Sequence, residues 1–99
     1  MRTAMNEQAI DEQLGTLPKP WNLNAAGHLN ADYRFDDFIQ AMNFGQAVGE
    51  LAEAANHHPD LSIGWGRCGI ELWSHDAGGL TPADFRLAHQ ISDCYDALP

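Results

Sequence analysis

One helical stripe of apolar side chains constrains this chain more than any other feature. Phe38, Ala41, Met42, Gly45, Val48, Ala52 and Ala55 recur at spacings of three and four, the signature of one apolar face on a long helix. Asp36 stands at the start as a cap. Pro59 marks the end, because it drives His58 out of helical geometry. The predicted helix, roughly 37 to 57, is about 30 Å long at 1.5 Å per residue. Its apolar face needs a cover that the rest of the 99 residues must supply. Gly45 and Gly49 each cost about 1 kcal/mol in a helix relative to alanine, which suggests that a neighbour packs closely there.

The remaining segments supply that cover as strands. Trp21, Leu23 and Ala25 alternate with polar residues, Gly27 offers a turn, and Leu29, Ala31, Tyr33 and Phe35 alternate again, as in a half-buried hairpin. After the helix, Leu61, Ile63 and Trp65 form a third strand and Cys68, Ile70 and Leu72 a fourth, ending near His75. With Gly66-Arg67 as a two-residue turn, Trp65 pairs with Cys68, Ile63 with Ile70 and Leu61 with Leu72. The same count sets His58 opposite His75. Trp65 is then expected in the core and Trp73 on the other face with His75.

Helices close both ends. Asn6 caps a short one that Gly15 ends, before Pro18 and Pro20. Thr81-Pro82-Ala83-Asp84 is a dense helix start, with a capping box from Thr81 and Asp84 and proline at the first helical position. Phe85, Ala88, Ile91, Tyr95 and Leu98 supply the apolar face of that last helix. The order α-β-β-α-β-β-α predicts an α+β fold, a four-stranded antiparallel sheet with helices packed on one face. Residues 1–99 are expected to form one domain.

Charge narrows the function. Fourteen Asp and Glu face five Lys and Arg. Nucleic acids and anionic membranes need clustered cations, so neither is an expected partner, and a neutral small molecule suits this field best. Cys68 and Cys94 lack metal-type spacing and read as reduced, packed thiols. No apolar run has the length of a signal peptide or a membrane span. A cytoplasmic location is expected.

The chemistry-bearing stretch is Glu53-Ala54-Ala55-Asn56-His57-His58-Pro59. Imidazoles exchange protons near neutral pH, and proline holds this pair rigidly at a helix end. Glu53, four residues before His57, falls on the same helix face and is expected to orient it. His57, His58, His75 and a carboxylate have the composition of a zinc or iron site. Adjacent histidines point apart, however, so no metal is expected.

The spacing from Glu53 onward resembles the motif of the pterin-4a-carbinolamine dehydratase family. That motif is an acidic residue, three positions, His-His-Pro, five positions, an aromatic, nine positions, His, then at least eight positions and Asp. Glu53, His57, His58, Pro59, Trp65, His75 and Asp84 occupy those places. Tyr33, Phe35 and Phe38 resemble the family's aromatic run, and Gly79-Leu80-Thr81 its loop into the last helix. Two positions depart: Ala31 stands where the family often has arginine, and Trp73 where it often has a small or hydroxyl residue.

The resemblance implies loss of water from a 4a-hydroxytetrahydropterin without metal or cofactor. His57 and His75 would do the acid–base work and His58 would bind the pterin. Glu53, Pro59, Trp73 and Asp84 would support them, Asp84 mainly as a cap. The resemblance also implies a homodimer or homotetramer, and it leaves open a non-catalytic dimerisation, assembly or transcriptional-cofactor role on the same fold. His28 and His89 lie outside the motif and are expected at the surface.

Overall fold

A computed structural model describes residues 3–99 of the chain. Its elements are α1 (Glu7–Leu14), β1 (Asn22–Leu23), β2 (Leu29–Arg34), α2 (Phe38–Ala55), β3 (Asp60–Gly64), β4 (Arg67–Leu72) and α3 (Pro82–Asp96). The predicted α+β order stands. The four strands form one antiparallel sheet in the order β1-β2-β4-β3, so β4 lies between β2 and β3.

Alternation decides which sheet face is covered. Leu29, Ala31 and Tyr33 of β2 and Cys68, Ile70 and Leu72 of β4 are buried in one core with Phe44, Val48 and Ala52 of α2 and Phe85, Leu87, Ala88 and Ile91 of α3. Each fully buried aliphatic side chain there contributes about 1.5–3 kcal/mol over its exposed state. Asn30, Asp32, Arg34, Arg67 and Glu71 point to the opposite face and are half-buried or exposed. On that face the Arg67 guanidinium donates to Asp32 Oδ1 at 2.8 and 3.1 Å.

The helix caps follow local chemistry. Asn6 accepts from the Ala9 amide at 2.9 Å and opens α1. α2 is capped by Asp37, one residue after the expected Asp36: its carboxylate accepts from the Gln40 amide at 2.8 Å. The buried face of α2 is also offset at its edge from the predicted stripe. Phe44 is buried, whereas Phe38 and Met42 are exposed. Gly45 does face a close neighbour, since a Cβ there would lie 2.5 Å from Ile63 Cδ1. Leu98 lies beyond α3 and is exposed.

Two turns differ from expectation. β1 stops at Leu23 because Asn24 starts a tight turn: its side-chain oxygen accepts from the amides of Ala26 and His28, both at 3.0 Å. Ala25 therefore leaves the ladder. In the second hairpin Gly64 pairs with Arg67, Ile63 with Cys68 and Leu61 with Ile70. The turn residues are thus Trp65 and Gly66, with Gly66 in the left-handed region at φ 71°. This register is two residues from the predicted one. A shift of two keeps every side chain on its face, so Ile63, Cys68 and Ile70 stay inward while Trp65 moves to the hairpin tip, 74% exposed.

Candidate active site

The C-terminus of α2 builds the first part of the site. Asn56 adopts a left-handed conformation, φ 48° and ψ 46°, which asparagine tolerates better than most residues. The His57 amide then reaches back to Ala52 O at 3.0 Å and the Asn56 amide to Glu53 O at 3.1 Å, the paired bonds of a Schellman closure. The helix consequently ends before His57, two residues earlier than predicted. The turn drives the His57 side chain inward to 5% exposure. His58, beyond the helix end and before Pro59, stays outside at 58%.

The buried imidazole meets a carboxylate from another segment. His57 Nε2 hydrogen-bonds Asp84 Oδ1. The other oxygen of Asp84 accepts from Ser74 Oγ at 2.9 Å and from the Thr81 amide at 2.9 Å, and Ser74 Oγ lies 2.7 Å from Thr81 Oγ1. Asp84 is fully buried. It therefore caps α3, as expected, and also fixes the ring of His57. Burial without these partners would be costly. The expected partner of His57, Glu53, instead holds His58, with Oε2 2.8 Å from its Nε2. The i, i+4 geometry that would join Glu53 to His57 requires a helix through both, and the helix ends between them.

The end of β4 supplies the third histidine. Continuing the observed β3–β4 count outward sets His57 opposite Ser74 and His58 opposite Trp73, so the predicted His58–His75 juxtaposition is corrected by the same two residues. Ser74 follows the inward parity of β4 and is buried. A bridge from Ser74 to Gly79 closes the loop between them, and His75 is exposed within it. The His75 ring stacks on Trp73, centroids 4.1 Å apart. Trp73 also stacks with His28, at 4.1 Å and 5° between planes, so His28 is a half-buried part of this cluster rather than an isolated surface residue.

Sequence reasoning missed Ser74 and His28. The alternation Cys68, Ile70, Leu72, Ser74 carried a signal for the first; the second depends on pairing between distant strands. Trp65, at the hairpin tip, is far outside the core expected for it. His89 is half-buried, 3.1 Å from the Thr16 hydroxyl. A groove of about 570 Å³ bounded by Phe35, Gln40, Asn43, Phe44 and Tyr95 lies along the N-terminal half of α2. No imidazole lines it, so His57, His58 and His75 lie elsewhere. Among the described residues no group of three or more metal-binding side chains converges.

Comparison with known proteins identifies the family. The family model described as pterin 4 alpha carbinolamine dehydratase matches residues 3–94. The chain belongs to this family. It is 44% identical over 87 residues to a protein of Rickettsia bellii (strain OSU 85-389), covering 88% of this chain and 77% of that one. A protein of Acidobacterium capsulatum is 45% identical over 87 residues, covering 88% and 92%. Both are named, provisionally, as pterin-4-alpha-carbinolamine dehydratases. The fold is that of a transcriptional coactivator/pterin dehydratase from Brucella melitensis, whose crystal structure superposes with a TM-score of 0.85 at 24% identity over 92% of this chain and 97% of that one.

Proposed function

We propose that this member of the pterin dehydratase family removes water from a 4a-hydroxytetrahydropterin to give quinonoid dihydropterin. The observation that carries the reading is two imidazole–carboxylate pairs on consecutive residues, His57 with Asp84 and His58 with Glu53. A third imidazole, His75, follows Ser74, which is bonded to the same Asp84. In the reaction a proton goes to the hydroxyl on C4a and the C–O bond breaks. N5 loses its proton and its electron pair forms the C4a–N5 double bond. One acid and one base suffice, each worth about 10²–10⁴-fold in rate.

In this reading His57 and His75 carry the two proton transfers and His58 binds and orients the pterin. Asp84 fixes the ring of His57, Glu53 that of His58, and Pro59 the backbone between helix and strand. Trp73 backs His75. Neither metal nor cofactor enters the scheme. The substrate is neutral, in keeping with a net charge of −9, and nucleic acid is not a partner.

The same reading takes the protein as a homodimer or homotetramer. Phe38, Ile39 and Met42 on α2, and Leu61 and Trp65 on the hairpin of edge strand β3, are large exposed apolar residues that a second copy would cover. A cytoplasmic location accords with Cys68 and Cys94 as free thiols. Among the described residues no helix is long and apolar enough to cross a membrane.

Dehydration of a synthetic 4a-carbinolamine tests the proposal. Folded His57→Ala and His75→Ala should each lose about 10²–10⁴-fold in kcat, while His58→Ala should chiefly raise KM. Wild-type kcat in both His57→Ala and His75→Ala would end the acid–base assignment.

A further inference from the structure

The β2–β4 ladder ends with Leu29 paired to Leu72. One step outward, the same count sets His28 opposite Trp73, and there the two rings stack. His28 is held from two directions. Its Nδ1 lies 2.7 Å from Glu71 Oε2, and its amide donates to Asn24 Oδ1 at 3.0 Å. Glu71 is held in turn, because Oε2 also accepts from Asn24 Nδ2 at 2.7 Å. The Asn24 turn, Glu71 of β4 and the His28 ring thus form a closed set of hydrogen bonds beside Trp73.

Trp73, which this set supports, stands two residues before His75 and touches it. The indole of Trp73 stacks with His28 at one contact and with His75 at another, both at 4.1 Å. His75 sits in an exposed loop, where an imidazole alone would sample several rotamers. Its stack on Trp73 limits that freedom only if Trp73 is itself fixed. On this open sheet face the ring from a neighbouring strand start, His28, does so.

We infer that His28, locked by Glu71, is a positioning residue: stacked on Trp73, it holds the indole and the His75 imidazole against it in the orientation that meets the pterin. The inference rests on the acid–base role proposed above for His75. It gives Trp73 and His28 a joint task in this chain, in which a bulky indole takes a position where a small side chain would offer no such relay.

The full-length protein allows a direct test by proton NMR and kinetics. The ring protons of His75, assigned by their loss in His75→Ala, should be shifted upfield by the indole's ring current. His28→Ala and Glu71→Ala should each move them toward the position of an unstacked imidazole. Both variants should lower kcat roughly tenfold, within the range that misplacement of a reacting group produces, with KM changed less than about twofold in the same measurement. His28 and Glu71 lie outside the buried core, and Glu71→Ala serves if His28→Ala fails to fold. Unmoved His75 resonances, or moved resonances with kcat unchanged, would overturn the positioning role. A His75→Ala variant with wild-type kcat would instead overturn the reading of the site, and the positioning role with it.

Discussion

Replacing Asp84 by alanine removes three interactions at once. The carboxylate caps α3, a contribution of about 0.5–2 kcal/mol. It also accepts from the Ser74 hydroxyl and pairs with the His57 ring, and both groups are buried. Leaving each unsatisfied costs about 1–3 kcal/mol. Allowing for partial relaxation and for the Thr81–Ser74 bond that remains, Asp84→Ala should destabilise the fold by about 3–5 kcal/mol. That is a large part of the 5–15 kcal/mol typical of a domain. At about 4–8 °C per kcal/mol for a chain of this size, Tm should fall by at least about 12 °C. Asp84→Asn keeps one acceptor oxygen and should cost about half as much, leaving a folded protein in which the His57 ring is less well held and kcat is reduced. Urea unfolding by circular dichroism, followed by turnover assays under folding conditions, measures both. A loss below about 2 kcal/mol in the alanine variant, the range of a cap alone, would refute the claim that Asp84 anchors His57 as well as the helix.

Two further predictions concern the flanks of the site. Asn56→Ala should destabilise by about 1–2 kcal/mol, because alanine resists the left-handed conformation, whereas Asn56→Gly should be close to wild type; equal urea midpoints for the alanine and wild-type proteins would refute the role of the turn. The hydrogen bonds from His28 and then Asn24 hold the Glu71 carboxyl below its ordinary value of 4.5. A depressed carboxyl pKa stabilises the fold above the unfolded-state value, and that stabilisation is lost as pH falls through the folded-state value. The ¹³C titration of Glu71 should therefore have its midpoint below 4.5 and move upward in His28→Ala; an unshifted midpoint in that variant would show that His28 is not the main cause.

Local pattern carried the elements of this fold and most of its faces. Thr81-Pro82-Ala83-Asp84 announces α3 because proline and the capping pair act within a few residues. The inward faces of β3 and β4 came out correctly despite a register two residues off, since alternation has period two. The error surfaced only where absolute position matters, at Trp65 and in the His58–His75 pairing. The stripe on α2 holds at Ala41, Gly45, Val48 and Ala52 but is offset at its edge, because Phe38 and Met42 are apolar yet face outward while Phe44 is buried. The candidate residues His57, His58, His75 and Asp84 are visible as a spaced motif, as are the Thr81–Asp84 capping pair and the shared face of Trp73 and His75, but the pairings of His57 with Asp84 and of His58 with Glu53 are not. Asn56 redirects His57 from Glu53 to a carboxylate 27 positions away. The stack of His28 on Trp73 depends on which distant strand lies beside β4, and no local periodicity encodes that.

The central place of β4 gives the cluster an unusual mechanical setting. β4 runs antiparallel to both neighbours, so the strand end that leads into Ser74 and His75 lies beside the points where β2 and β3 enter the sheet. Three backbone segments meet there just past the last ladder bonds, at Leu29, Asp60 and Leu72. They are joined by side chains rather than by sheet hydrogen bonds. The exposed residues at this end, such as His58 and His75, can therefore change while the ladder, the buried His57–Asp84–Ser74 set and the core beneath α2 and α3 keep their packing.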